Sequence, residues 1–189
     1  MRKFISKQSV AIWYGLTALL ATFLVGQVIL WCFPDGRSMG ASLLFILMNL
    51  IPMIVAAVFS LVLSEVNSLG EFFKKVFLQK ESSLSWILAF FIPVIYYGIS
   101  ILLMNVRFTG NSLLAFFLYF PWTLLYGGLE EVGWRWFLQD HLSFSKHFIP
   151  KMMLLSIVWF LWHIPIYQLP WITAGSSNYL IFYLMILGN

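Results

Sequence analysis

The placement of charge leaves this chain few folds to choose from. No Asp, Glu, Lys or Arg occurs from Val10 to Phe33, from Ala41 to Leu63, or from Leu84 to Met104. About 20 apolar residues in helical form span the hydrocarbon core of a bilayer. Each of these runs is that long, so the pattern predicts membrane-crossing helices. Composition agrees: 61% of the residues are hydrophobic and 10% are charged, whereas a soluble domain carries about 25% charged residues. A soluble chain of this size lacks the polar side chains to cover so much apolar surface.

Three further runs follow. The fourth extends from Leu113 through Pro121 into Gly127-Gly128 and a charged end. The fifth covers Met152 to Tyr167, and the sixth starts near Tyr179 and stops with the chain at Asn189. The expected fold class is therefore all-α, a polytopic transmembrane helix bundle of about five full helices plus one truncated helix. The first run follows Arg2, Lys3 and Lys7, as a signal peptide does, but its length and the lack of a small-x-small cleavage site favour a retained helix. The aromatic share, 19% with nine Trp, suits rings at the membrane interfaces. Cys32 is the single cysteine, which excludes an internal disulfide and a Cys-based zinc site. The net charge of +4 forms no basic stripe, so nucleic acid is not an expected partner.

Loop charges set the orientation. Arg2, Lys3 and Lys7 lie at the N-terminus, Lys74, Lys75 and Lys80 follow the second run, and Lys146 and Lys151 follow the fourth. The alternate loops carry Arg37, Arg107 and no basic residue. The expectation is a multi-pass protein of the cell membrane with a cytoplasmic N-terminus. Between Ser68 and Lys80, Leu69, Phe72, Phe73, Val76 and Phe77 fall at helical spacing among the lysines. This predicts a short helix on the cytoplasmic interface, or one packed on the bundle.

Glu130, Glu131 and Arg135 sit where a membrane helix has no use for charge. Each costs about 2.5–3.5 kcal/mol at a helix centre, so an intramembrane ionisable residue marks a candidate functional site. The alternative is a helix that ends at Gly128 and leaves the charges in water. Trp134, Trp136, Phe137 and Leu138 keep the segment apolar up to Gln139, Asp140 and His141, which argues against that. At about 100° per residue, Arg135 lies about 40° from Glu131 and about 140° from Glu130. Arg135 is thus expected to neutralise Glu131 and to leave Glu130 unpaired on another face, as a candidate proton acceptor.

His163 lies inside the apolar run Trp159-Phe160-Leu161-Trp162-His163-Ile164-Pro165. A buried histidine is most often a core residue with its hydrogen bonds satisfied, but depth changes the weighing. Counted from Asp140 and Lys151, Glu130 and His163 lie about 15 and about 18 Å deep. The two can meet on adjacent antiparallel helices and activate a water molecule, as base and orienting partner or around a metal ion. His141 and His147 fall in a polar loop and read as solvated surface.

Glu130-Glu131-Val132-Gly133-Trp134-Arg135 resembles the Glu-Glu-x-x-x-Arg motif of the CPBP family, which comprises CAAX prenyl proteases and bacteriocin-processing or Abi-type membrane proteins. The family's second motif is Phe-x-x-x-His. Here Trp159 stands in the Phe place and His163 in the His place, followed by the typical Ile-Pro. The resemblance covers roughly Asn111 to Asn189. It divides the chain into N-terminal transmembrane helices (1–110, with the interfacial helix near 68–80) and a partial protease-like core (111–189).

The resemblance implies an intramembrane endopeptidase that hydrolyses peptide bonds near the cytoplasmic face. Glu130 would activate water, Glu131 and Arg135 would support or orient the substrate, and His163 would partner the water or a metal. A divalent metal such as zinc, held by Glu130 and His163, is one expectation, and a metal-free water activated by Glu130 is the other. A catalytic zinc typically takes three protein ligands, and these two residues are too few. The implied partners are membrane lipid and a peptide or protein substrate, either lipid-modified or a leader peptide. The family's later His-x-x-x-Asn motif does not occur in this sequence. The last run gives about 16 Å of helix against about 30 Å of hydrocarbon, so the expectation is a C-terminal truncation that removes part of the site. The alternative functions are a non-catalytic membrane interaction or immunity protein and, ranked below it, a proton-coupled transporter. The transporter reading lacks paired broken helices in matching halves.

Overall fold

The computed structural model describes residues 6–36, 38–104, 113–142, 147–172, 180 and 183. Arg2, Lys3, Arg37, Arg107, Lys146 and nearly all of the sixth run fall outside the described residues. Among the described residues every regular element is a helix and there is no strand. The helices are α1 (Lys7–Cys32), α2 (Met39–Val62), α3 (Leu69–Phe77), α4 (Ser83–Met104), α5 (Leu113–Thr123), α6 (Gln139–His141) and α7 (Phe148–Tyr167). Two π-helical segments, Leu124–Gly128 and Val132–Leu138, lie between α5 and α6. Of these elements α1, α2 and α7 are long and apolar enough to cross a membrane. The protein is an integral membrane helical bundle.

Serines start three of the helices. Ser6, Ser38 and Ser68 each accept a hydrogen bond from the backbone N–H three residues on (Ser9, Ala41 and Glu71), all at 3.1 Å. Each satisfies one of the donors that a helix start leaves open. In α3 the cap is reinforced, because Glu71 accepts from the backbone N–H of Asn67 at 2.9 Å and from its side chain at 3.0 Å. These bonds and the neighbouring Lys75 hold the Glu71 carboxyl below its usual range.

The fourth run is not the continuous helix expected from its hydropathy. After α5 the backbone widens into a π-turn, with the Leu129 N–H donating to Leu124 O at 3.0 Å, and Gly127 leaves helical dihedrals altogether. A second π-helical stretch then carries Val132 to Leu138. Pro121 removes a backbone donor from α5, and two consecutive glycines follow it, so the break falls where the α-helical ladder is weakest.

α1 and α2 form the seat of this second stretch. Tyr14 of α1 is fully buried and donates its hydroxyl to Pro52 O of α2 at 3.0 Å. Its ring packs on Phe137 (centroids 4.8 Å apart) and edge-on against Trp134 and Phe59 (5.9 Å each). Such pairs add about 0.5–1.5 kcal/mol each beyond burial. Gly133 makes the contact possible: a Cβ there would overlap the Tyr14 hydroxyl and meet Pro52 C and Cβ at 2.5 Å. α7 closes the other side through Trp162, whose indole N–H donates to the buried Thr22 hydroxyl at 3.1 Å.

The segments expected to share one membrane side do meet at one end of the bundle. Lys7 pairs with Asp140 at 3.1 Å, and Glu65, just after α2, bonds His141 at 2.9 Å and accepts from Lys75 through its backbone carbonyl at 2.6 Å.

Candidate functional site

The site lies where the helical stretch that follows the break at Gly127 meets α7. Glu131 and Arg135 form the ion pair their spacing predicts, with the Arg135 Nε–H donating to Glu131 Oε2 at 2.7 Å. The pair is half-exposed, and at such exposure it adds little to stability.

Glu130, one residue earlier, has opposite surroundings. It is 4% exposed. The expectation that it lies on another face holds, but it is not unpaired. Its Oε1 accepts from the indole N–H of Trp159 at 3.3 Å. Its Oε2 is buried with no hydrogen-bond partner among the described residues. A buried oxygen of this kind carries a desolvation cost, and such groups in folded proteins are the exception.

His163 lies one turn beyond Trp159 on α7. Its Nδ1 lies 2.8 Å from Trp159 O. A carbonyl only accepts, so Nδ1 carries a proton, and in the neutral ring Nε2 is the acceptor. The imidazole packs edge-on against Trp159 (5.1 Å) and Trp162 (4.7 Å) and stacks on Tyr167 (5.7 Å, 18° between planes).

Trp159 therefore joins what the sequence placed on separate helices. Its N–H reaches Glu130, its carbonyl holds His163, and its ring lies under the Arg135 guanidinium at 5.9 Å. Sequence reasoning treated it as a stand-in for phenylalanine and missed this role. The available signal was its place one turn before His163, with a donor that phenylalanine lacks.

His141 corrects a second expectation. It is not solvated surface but 4% exposed, stacked on Phe137 (4.3 Å), with Nδ1 against Phe137 O and Nε2 against Glu65 Oε1, both at 2.9 Å. His147, at the start of α7, is exposed as expected. An open cavity of about 470 Å³ adjoins this end, lined by Glu65, Arg135, Asp140, His141 and Lys151 among others. Glu130 is not on its wall.

Among the described residues no group of three His, Cys, Asp or Glu side chains comes together to hold a metal. Glu130 and His163 alone do not make up the three-ligand set of a catalytic zinc.

A helical bundle of membrane-spanning length that buries a carboxylate and joins it to a histidine through one tryptophan, with an Arg-paired glutamate next to it, is a membrane protein with ionisable groups gathered at one junction. Residues 111–188 match the family model described as type II CAAX prenyl endopeptidase Rce1-like. Glu130, Glu131, Arg135, Trp159 and His163 all fall within the match, and α1 to α4 precede it. No curated protein and no solved structure matches the chain.

Proposed function

We propose that the chain is an intramembrane endopeptidase of the CAAX-protease-like type, with Glu130 activating water at the cytoplasmic side of the membrane. The observation that carries this reading is the buried Glu130 carboxylate, one oxygen held by Trp159 and the other without a hydrogen-bond partner among the described residues. A water on that second oxygen gives its proton to Glu130 as its oxygen attacks the scissile carbonyl carbon. The tetrahedral adduct then collapses, the C–N bond breaks, and Glu130 returns the proton to the leaving amine. His163, with Nδ1 fixed, presents Nε2 as an acceptor that orients the water. Glu131 and Arg135, half-exposed beside the site, suit the positioning of a substrate backbone.

The cytoplasmic assignment rests on the loop lysines and on Lys7, Lys75 and Asp140 gathering at one end of the bundle. The substrate we assign is a peptide tail presented at the membrane, lipid-modified or of the leader type; the match to a CAAX prenyl endopeptidase family model favours the lipid-modified one. A water activated by Glu130 without a metal is the mechanism the two described ligands support.

The test is cleavage of a farnesylated CAAX peptide by the full chain in proteoliposomes. Glu130→Gln is expected to lower turnover by about 10²–10⁴-fold. Turnover at the unmodified rate would overturn the assignment, and a binding phenotype that survives Glu130→Ala would point to an interaction or immunity protein. A chelator is expected to leave the rate unchanged, and loss of activity restored by zinc would instead assign the water to a metal.

A further inference from the structure

The Trp159 side chain touches Glu130 and Arg135 directly and reaches Glu131 through Arg135, and its ring and carbonyl touch His163. The contacts use different parts of the residue: the N–H edge for Glu130, the ring face for Arg135, and the backbone carbonyl and ring edge for His163. Only the first depends on a polar atom of the side chain. The geometry points to Trp159 as the positioning residue of this site, its indole N–H fixing one oxygen of Glu130 so that the other faces the water. This rests on the protease reading above.

The physical case begins with the carboxylate's own freedom. The last torsion of a glutamate is broad and nearly two-fold, so an unheld carboxylate presents either oxygen in many orientations. Glu130 is buried, and among the described residues Trp159 is its one hydrogen-bond donor, which makes that N–H the contact that selects an orientation. The indole is itself clamped. It touches the guanidinium of Arg135, which Glu131 holds at 2.7 Å, and the imidazole of His163. A displacement of Arg135 therefore moves the donor, and the half-exposed ion pair is coupled to the buried base through one aromatic ring. The resembled family motif has phenylalanine at this place, which keeps a ring face for the arginine but has no donor for the glutamate. In this chain tryptophan supplies both.

The bond length bounds the effect. At 3.3 Å it lies just beyond the usual 2.7–3.2 Å of an N–H···O bond. The expected loss is therefore about tenfold in kcat, the low end of what a hydrogen bond to a charged group gives.

Two variants separate the donor from the ring. Trp159→Phe removes the N–H and shrinks the ring. Site-specific 3-benzothienylalanine at 159 keeps the bicyclic shape and the face under Arg135 while replacing N–H by sulfur. Both are expected to lower kcat about tenfold and to leave KM within about twofold, because the bond orients the base and does not bind the peptide. The second readout needs no turnover. In the full chain in nanodiscs with ¹⁵N-labelled tryptophan, the indole N–H resonance missing from Trp159→Phe is expected to shift in Glu130→Gln, while that of the exposed Trp86 stays in place. Wild-type kcat in the benzothienyl variant, or a Trp159 resonance indifferent to Glu130→Gln, overturns the positioning role and leaves the protease reading standing. If Glu130→Gln cleaves normally, the protease reading fails, and the positioning role falls with it whatever the resonance does.

Discussion

α2 and α4 are close to twins as sequences. Each is an uncharged apolar helix, of 24 and 22 residues, with a proline inside. The structure uses them in opposite ways. α2 buries a continuous face of Ala41, Phe45, Met48, Pro52, Ala56 and Ser60, and Pro52 receives the Tyr14 hydroxyl and the bare backbone of Gly133. The described side chains of α4 are almost all exposed, including Trp86, Phe90 and Leu102. Lipid is as apolar as leucine, so hydropathy commits both helices to the membrane and says nothing about which one packs against protein. The difference lies in small and polar residues at helical spacing. Alanines and a serine along one face of α2 let a second backbone come close. The elements that hold the candidate site therefore include α1 and α2, which lie outside the matched family segment.

Glycine substitutions test this contrast with the largest expected effect. Gly133→Ala places a Cβ against Pro52 backbone and is expected to cost about 3 kcal/mol, whereas Gly98→Ala in α4, where a Cβ meets nothing within 4 Å, should stay within about 0.5 kcal/mol. Thermal unfolding of both variants in one detergent decides it, and equal midpoints would dissolve the distinction between seat and lipid-facing helix. Trp162→Phe takes away the donor to Thr22 on the other side of the seat. The loss should be about 1–2 kcal/mol, measured as a lower midpoint in the same assay, and Phe90→Leu in α4 serves as the silent control. Lys7→Ala breaks the exposed pair with Asp140 (side chains 60% and 67% exposed) and should change the midpoint by about 0.5 kcal/mol or less. A larger drop would mean that the gathered end of the bundle is held by charge and not by Tyr14 and its neighbours.

The smallest effect is confined to α3. Glu71 is held below its usual range by Asn67 and Lys75, so its contribution is present above the ordinary carboxylate value of about 4.3 and is lost as pH falls through the lower folded value. Amide exchange across residues 69–77 should quicken below that range in the native chain and show no such step in Glu71→Gln.

Several features of the site were legible because they follow from helix periodicity alone. Arg135 pairs with Glu131 since residues four apart share a face, and Glu130 turns elsewhere for the same reason. Glu130 and His163 approach one junction because their residue counts from Asp140 and Lys151 are similar. Other features depend on partners that no local pattern names. The depth of His141 is set by Glu65, more than seventy positions earlier, and its own neighbours Asp140 and Gln139 suggest water. Gly133 read as one of three variable positions inside a motif, but its value lies in what α2 presents to it. Pro121 and Gly127-Gly128 were visible as breakers, yet hydropathy stayed high across them, so the run was taken as unbroken.

The wide winding of Val132–Leu138 has a consequence for how the chain tolerates change. A π-turn is an α-turn with one residue more, closed by a bond to the fifth residue and not the fourth, as the Gln139 N–H does with Trp134 O. Removing one residue between 132 and 138 takes out that surplus, so the ladder closes with α-helical bonds and the residues on either side keep their facing. The same deletion in an α-helical stretch such as α7 turns everything beyond it by about 100°. The wide winding is therefore slack in the chain, and the direction in which the two glutamates point is less sensitive to a one-codon deletion here than in a regular helix.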